Sequence, residues 1–199
     1  MIKDLFSTPI YTGKITNDRV SKEIDLILDQ MLLSNQWQPD NDTAKTTFNP
    51  GVSENIIAEY NLNNIGNEII DHAETYISSV GQEIIHDSIG ISSSWINTFD
   101  HDQLIGFHEH GYQPNQISGC YYHQTSENCG DIQFKSSNPF VVSFPHQVSK
   151  YNNIHTIKVE QGTIILFPSW LMHKVLPNKS RDTRISLAFN LDFRYTYQE

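Results

Sequence analysis

The sequence has few of the features that mark several large classes of protein. Its 199 residues contain two cysteines, Cys120 and Cys129, which are too few for a disulfide framework and lack a CxxC zinc spacing. No run of about 18 apolar residues occurs, and the N-terminus has no apolar leader segment, so neither a membrane span nor export is predicted. We expect a soluble cytoplasmic protein with reduced thiols.

Basic residues are also scarce. Lysine and arginine number 13 against 23 aspartates and glutamates, which gives a net charge of -10. Because such a charge repels a phosphate backbone, nucleic acid is not expected as the main ligand. A chain of this length can bury one sizeable core, and we expect a single domain over residues 1–199.

The N-terminal part has a helical pattern. Apolar residues recur at helical spacing in residues 17–34, with Asn17 as the N-cap, and again in residues 63–84. Between them, residues 35–55 are polar, contain two prolines and a glycine, and predict a long irregular connection. Residues 1–90 are therefore expected to form a helical support region.

From Ser92 onward the pattern changes to short β-prone segments separated by turn residues. These segments are SSWINTF, QLIGFHEH, QISGCYYH, GDIQFKS, FVVSF, IHTIKVE, GTIILFP, WLMHKVL and TRISLAFNLDF. Short strands in this number predict a mainly β fold, a cupin-like jelly roll or double-stranded β-helix, with the N-terminal helices packed outside. Residues 91–195 would form this core and carry the functional site.

Three histidines in this half are candidate metal ligands. In FHEHGY, His108 and His110 are two residues apart, so on an extended strand they share a face while Glu109 points away. His173 follows the buried-looking run TIILFP, and closure of a jelly roll could bring it to the same open end of the barrel as His108 and His110. Three neutral imidazoles suit iron(II), zinc or copper and leave positions for substrate and water.

An arginine and a tyrosine supply candidate ligand-binding groups. Arg184 lies eleven residues beyond His173 and shares a strand face with Ser186. The planar guanidinium suits a carboxylate, so this arrangement fits a small dicarboxylate that chelates the metal at its other end. In QISGCYYH, either Tyr121 or Tyr122 must face the barrel interior, where its hydroxyl needs a partner.

Taken in order, HxH, ISGCYYH, GDIQF, GTIILFPSWLMHKVLPN and RISLAFN resemble the small 2-oxoglutarate- and iron(II)-dependent oxygenases of the prolyl-hydroxylase-like superfamily. The sequence is most similar to a family of such oxygenases found in bacteria and tailed phages, and a phage-encoded enzyme would act in the host cytoplasm. The resemblance implies Fe(II) as the metal, 2-oxoglutarate as cosubstrate, and dioxygen-dependent hydroxylation of a C–H bond coupled to decarboxylation of 2-oxoglutarate.

The resemblance also implies roles for individual residues. His108 and His173 match metal ligands, Arg184 matches the anchor of the distal carboxylate of 2-oxoglutarate, and Ser186, Tyr122 and Asn97 match positions that assist it or line the pocket. The superfamily has a carboxylate two residues after the first histidine, where this chain has His110. His110 keeps that spacing as third ligand, whereas a β-bulge would turn Glu109 inward instead.

Other functions stay open at the level of the sequence. One is a cupin-like metalloenzyme with a three-histidine zinc or iron site and no 2-oxoglutarate, in which Arg184 binds a substrate anion directly. Another is a non-enzymatic jelly-roll module in which the histidines are incidental. A homodimer is compatible with the sequence, and no motif in the expected substrate loops, residues 36–55 and 138–153, identifies the substrate.

Overall fold

The computed structural model describes residues 7–34, 37–39, 44–81, 89–111, 116–137 and 153–193. The helices are α1 Asp18–Ser34, α2 Ile56–Glu59 and α3 Asn63–Ser79. The strands are β1 Tyr11–Lys14, β2 Gln38–Pro39, β3 Lys45–Thr46, β4 Ile89–Phe99, β5 Ile105–His108, β6 Ile117–Gln124, β7 Ile132–Lys135, β8 Ile154–Ile157, β9 Thr163–Pro168, β10 His173–Val175 and β11 Arg184–Phe193. None of the described helices is long and apolar enough to cross a membrane.

The strands form two antiparallel sheets. The large sheet has seven strands in the order β1-β9-β6-β11-β4-β3-β2, and the small sheet has four in the order β5-β10-β7-β8. Strands from distant parts of the chain are neighbours in both sheets, as expected for a jelly roll. The mainly β fold class predicted from the sequence is therefore confirmed.

The first core lies between the helices and the outer face of the large sheet. The apolar stripes of α1 and α3 are buried there, including Ile24 and Ile69, and they form one cluster with Ile96 and Leu187 of the sheet. Asn17 caps α1, since its side-chain oxygen accepts from the Arg19 backbone N–H at 3.1 Å. The helices thus pack outside the β structure, on the side away from the small sheet.

The second core lies between the two sheets. Phe134 of β7 and Phe167 of β9 meet edge to face with ring centroids 4.9 Å apart. Alternation along β6 assigns its two tyrosines to different cores, because Tyr121 packs against the helices while Tyr122 belongs to the core between the sheets. The space enclosed by the two sheets is therefore lined by alternate residues of β4, β6 and β11.

Three details differ from the sequence interpretation or lie beyond it. Residues 35–55 were predicted to be irregular, but they contain β2 and β3, which extend the large sheet beside β4. Strands of two residues are too short to give a periodic pattern. The second helix ends at Ser79 rather than residue 84, and Gly81 follows with a φ of 81°, a conformation that favours glycine at helix ends. The predicted strand FVVSF lies outside the described residues.

Candidate active site

The small sheet places two histidines side by side. His108 is the last residue of β5 and His173 the first of β10, and they are register partners. His110 lies just beyond β5, where its backbone N–H donates to the Ser169 carbonyl oxygen at 3.0 Å. Ligand atoms of the three histidines all lie within 4.8 Å of one another. One metal ion can therefore contact all three side chains.

In this histidine cluster, burial favours the neutral form of His173 and His110. Burial and the neighbouring His108 and His110 lower the pKa of His173 to about 3. Burial also lowers the pKa of His110. Nδ1 of His108 lies 2.9 Å from the Gly106 carbonyl oxygen, and Nδ1 of His173 lies 2.8 Å from that of Leu171. A carbonyl oxygen only accepts, so Nδ1 carries the hydrogen in both rings and Nε2 is available to a metal.

Arg184 is a buried cation without an anionic partner in the described part of the chain. The residue is 1% exposed, and its Nε and Nη1 atoms have no hydrogen-bond partner among the described residues. The centroids of the Phe99 and Tyr122 rings lie 4.6 Å and 5.0 Å from the guanidinium carbon. Cation–π contacts offset part of the cost of burying this charge, but a buried charge is costly unless it is paired. The guanidinium is thus suited to an anion that enters from outside the chain.

A row of polar groups crosses the large sheet near this arginine. Ser186 of β11 is the register partner of Asn97 in β4 and of Tyr122 in β6. The Asn97 Oδ1 atom and the Tyr122 hydroxyl are buried and have no hydrogen-bond partner among the described residues. Burial also raises the pKa of Tyr122 well above its usual value. Since buried polar atoms are normally hydrogen-bonded, these unpaired groups are suited to bind a polar ligand.

One cavity of about 380 Å³ brings these groups together. All seven site residues predicted from the sequence line it, namely His108, His110, His173, Arg184, Ser186, Tyr122 and Asn97. Glu109, the alternative third ligand, is exposed and does not line the cavity. The histidine cluster and the unpaired guanidinium therefore share a single space, with a volume in the range of about 300–1,000 Å³ usual for small-molecule sites.

The sequence analysis missed several residues that shape this site. The rings of Phe48 and Trp95 line the cavity with centroids 5.2 Å apart, and Trp95 lies 5.6 Å from the His110 ring. Asn190 and Ser118 are buried against Nδ1 of His110, at 2.7 Å and 3.0 Å. A usable signal was the two-residue period of the strands, since Asn190 is on the same face of β11 as Arg184.

Comparisons with known proteins identify both a family and a fold. A family model described as "Putative 2OG-Fe(II) oxygenase" matches residues 93–190. No curated protein matches the chain in sequence.

Solved structures resemble the chain at low sequence identity. A prolyl-4-hydroxylase from Pseudomonas putida is 11% identical, with a TM-score of 0.60 and 94% of each chain covered. HygX from Streptomyces hygroscopicus, solved with nickel and 2-oxoglutarate bound, is 10% identical, with a TM-score of 0.63 over 94% of this chain and 84% of its own. SnoN, an epimerase of nogalamycin biosynthesis, is 9% identical, with a TM-score of 0.66 over 94% of this chain and 79% of its own. At these identities the likeness shows the fold.

The family match extends across the strands that build the site, from β4 to β11, and includes all seven predicted site residues. The resemblance to the 2-oxoglutarate and iron(II) oxygenases seen in the sequence is thereby confirmed. The match to the 2OG-Fe(II) oxygenase family thus covers the part of the chain that carries the candidate site.

Proposed function

We propose that the protein is a 2-oxoglutarate-dependent dioxygenase in which His108, His110 and His173 bind iron(II) and Arg184 binds the distal carboxylate of 2-oxoglutarate. The observation that carries this proposal is the unpaired, buried guanidinium in the same cavity as the histidine cluster. An incoming dicarboxylate would pair with the arginine at one end and reach the metal at the other.

The donor set fits the metal. Three imidazoles form an open-sided donor set, which leaves coordination positions for other ligands. The superfamily pattern has a carboxylate where this chain has His110, so the bare metal site carries a formal charge of +2 instead of +1. A 2-oxoglutarate dianion would neutralise that charge, and the guanidinium adds a further favourable charge at the distal end.

The polar row fits the cosubstrate. The Nε and Nη1 atoms of Arg184 have no hydrogen-bond partner among the described residues, and a carboxylate in the cavity would accept charge-assisted hydrogen bonds from this guanidinium. The hydroxyls of Tyr122 and Ser186 lie on the same cavity face and can donate to the same carboxylate. Apolar side chains such as Phe99 and Phe167 line the rest of this region, and they exclude water that would weaken the ion pair.

Iron and 2-oxoglutarate, when bound, would activate dioxygen as the oxidant: one oxygen atom would enter succinate as 2-oxoglutarate loses carbon dioxide, and the other would oxidise a substrate C–H bond. The protein holds these groups in one orientation and shields them from solvent. The Phe48 and Trp95 rings, on the His110 side of the cavity, are suited to contact the substrate.

A second candidate function is a three-histidine zinc or iron enzyme that does not use 2-oxoglutarate. The observation in its favour is the third imidazole, since a site of three histidines and one open position is a known arrangement for hydrolytic zinc. In that case Arg184 would bind an anionic group of the substrate itself.

The decisive experiment measures metal content and 2-oxoglutarate turnover together. Protein loaded anaerobically with Fe(II) is expected to show a weak visible charge-transfer band when 2-oxoglutarate is added, and to form succinate when air is admitted. Arg184→Gln should lose the band and the succinate while keeping the metal, whereas Arg181→Gln, at an exposed position, should behave as wild type. Stoichiometric zinc, with no effect of 2-oxoglutarate on the melting temperature, would support the second candidate instead.

We also propose that the enzyme acts in a reducing cytoplasm, that of the host if a phage encodes it, and that nucleic acid is not its main ligand. Both cysteines are free and buried, which supports a reducing compartment. The net charge of -10 would repel a phosphate backbone, which supports the proposal that nucleic acid is not the main ligand.

A further inference from the structure

The two histidines of the small sheet have their ring tautomers fixed by the backbone. His108 and His173 each donate Nδ1–H to a carbonyl oxygen two residues earlier in the chain. A carbonyl has no hydrogen to offer, so no side-chain substitution nearby can reverse the donor and acceptor roles. Their Nε2 atoms stay available to the metal.

His110 is held differently, because both partners of its Nδ1 atom are side chains. The Asn190 Oδ1 atom lies 2.7 Å away and the Ser118 hydroxyl 3.0 Å away. An amide can face a histidine with its oxygen or with its nitrogen. With the oxygen inward, Nδ1 carries the hydrogen and Nε2 is free. With the nitrogen inward, Nδ1 must accept, so the hydrogen moves to Nε2 and blocks the metal-binding position.

The surrounding hydrogen bonds favour the oxygen-inward orientation. The Asn190 Nδ2 group donates to the Ser93 hydroxyl at 2.8 Å, and the Ser118 hydroxyl donates to Asn190 Oδ1 at 2.7 Å. The hydroxyls of Ser118 and Ser169 are 2.9 Å apart, which ties the network to the turn after β9. Asn190 is 4% exposed, Ser118 0% and Ser169 1%, so water cannot easily replace these bonds.

We propose that Asn190 and Ser118 are positioning residues of the metal site, which select the Nδ1–H tautomer of His110 and so present its Nε2 atom as the third ligand. This inference rests on the metal site of the proposed function. It also explains how an imidazole works at a position where the superfamily has a carboxylate, which has no tautomer to select. The large sheet thereby supplies the amide that completes a metal site built mainly on the small sheet.

The same strand serves both ends of the site. Arg184, Ser186, Ala188 and Asn190 occupy one face of β11, so the residue proposed to anchor 2-oxoglutarate and the residue that orients His110 are six positions apart on one rigid element. Ligand positions on a central strand vary less than positions on loops. His110 itself lies outside a strand and gains its order from this contact.

The test compares Asn190→Ala and Asn190→Asp with a matched control, Asn178→Ala. Asn178 is also a buried asparagine with structural hydrogen bonds, to the Phe99 and Asp182 carbonyl oxygens, but it does not touch the histidines. Two quantities are measured for each folded variant. One is the dissociation constant for Co(II), by competition with a chelator, and the other is the tautomer of His110 in the metal-free protein, by nitrogen-15 NMR.

Loss of the amide in Asn190→Ala should weaken Co(II) binding by about 10–100-fold, as is usual when the partner of a metal-bound histidine is removed. The NMR spectrum should show His110 moving from the Nδ1–H form toward the Nε2–H form. Asn190→Asp keeps an oxygen acceptor and should restore both the affinity and the tautomer. Asn178→Ala should lower stability without changing either measurement.

A folded Asn190→Ala variant with wild-type Co(II) affinity and an unchanged His110 tautomer would overturn the inference. If that variant does not fold, Ser118→Ala and Asn190→Asp provide the test by the same two measurements. Ser118→Ala should weaken Co(II) binding, whereas Asn190→Asp should not. A different result would show that the proposed metal site is wrong. In that case His110→Ala would also leave Co(II) binding unchanged.

Discussion

His108 and His173 pair across the antiparallel β5 and β10 strands, and their ring centroids are 4.2 Å apart. The backbone ladder therefore fixes these two imidazoles, while His110, outside the ladder, depends on the Ser169 carbonyl and on the Asn190 side chain. Two of the candidate ligands belong to a sheet and the third to a loop held against it, so we expect the third to be the most sensitive to substitution of its neighbours.

The identity of the third ligand can be tested by two adjacent substitutions. His110→Ala should weaken Fe(II) or Co(II) binding by more than about 100-fold, because removing a ligand costs more than removing a ligand's hydrogen-bond partner. Glu109→Ala should leave binding within about twofold, since the Glu109 side chain is exposed and points out of the cavity. A chelator competition assay measures both. The reverse result would assign the third position to Glu109 and require a local rearrangement of the backbone.

Arg184→Met separates ligand binding from stability. Loss of the guanidinium should weaken 2-oxoglutarate binding by at least about 30-fold, since removing one partner of a buried ion pair costs about 2–5 kcal/mol. In the absence of 2-oxoglutarate the variant should melt at the same or a higher temperature, because it no longer buries an unpaired charge. Calorimetric titration of the metal-loaded protein and thermal melts measure the two effects.

A suitable control for this experiment is Arg181→Met, at an exposed arginine three residues earlier. It should change neither the affinity for 2-oxoglutarate nor the melting temperature. A drop of several degrees in the melting temperature of cosubstrate-free Arg184→Met would show that Arg184 is a structural residue, held by its contacts with Phe99 and Tyr122.

Much of this site could be predicted because local periodicity decides which side chains share a strand face. Arg184 and Ser186 were placed together by the two-residue period, and both line the cavity. His108 and His110 were expected on one side by the same rule. In the structure β5 ends at His108, so the strand geometry does not extend to His110, and a bond to the turn after β9 keeps its side chain in the cavity.

Other features could not be read from the sequence because they depend on distant partners. The pairing of His108 with His173 joins residues 65 positions apart and follows from the closure of the small sheet. β3 consists of two residues and is a strand only because it pairs with β4 on one side and with β2 on the other. The two-residue period places Asn190 on the face of β11 that carries Arg184, but its role arises from contact with His110, eighty positions away, and no local pattern shows that contact.

Gly119 of β6 is expected to be required for packing between the large sheet and the helices. A Cβ atom at this position would lie 2.4 Å from Cζ of Phe189 and 2.7 Å from Cδ2 of Leu166, and both side chains are 0% exposed. Gly119→Ala should therefore lower the free energy of unfolding by about 1–3 kcal/mol. Gly90→Ala in β4, where apart from the adjacent residues no atom of the described part of the chain lies within 4 Å of the added Cβ, should change it by no more than about 0.5 kcal/mol. Urea denaturation measures both, and equal effects would contradict the packing argument.

The stability of the metal-free protein should fall as the pH is lowered, partly because of His173. Its pKa in the folded protein is lowered to about 3 by burial and by the other two histidines, whereas in the unfolded chain it takes up a proton near the ordinary value of 6.5. Between these two values the unfolded chain binds more protons at this residue, so the free energy of unfolding decreases with falling pH, by up to about 1.4 kcal/mol per pH unit.

The contribution of His173 can be isolated with His173→Gln, because glutamine does not titrate. The quantity to compare is the free energy of unfolding of wild type minus that of His173→Gln, measured in the presence of a chelator. This difference should decrease by about 1–2 kcal/mol between about pH 7 and pH 5. Titrating groups that do not interact with His173 contribute equally to both proteins and cancel in the difference. A difference that stays constant over this range, measured by urea denaturation at each pH, would mean that His173 takes up its proton in the folded state as readily as in the unfolded chain.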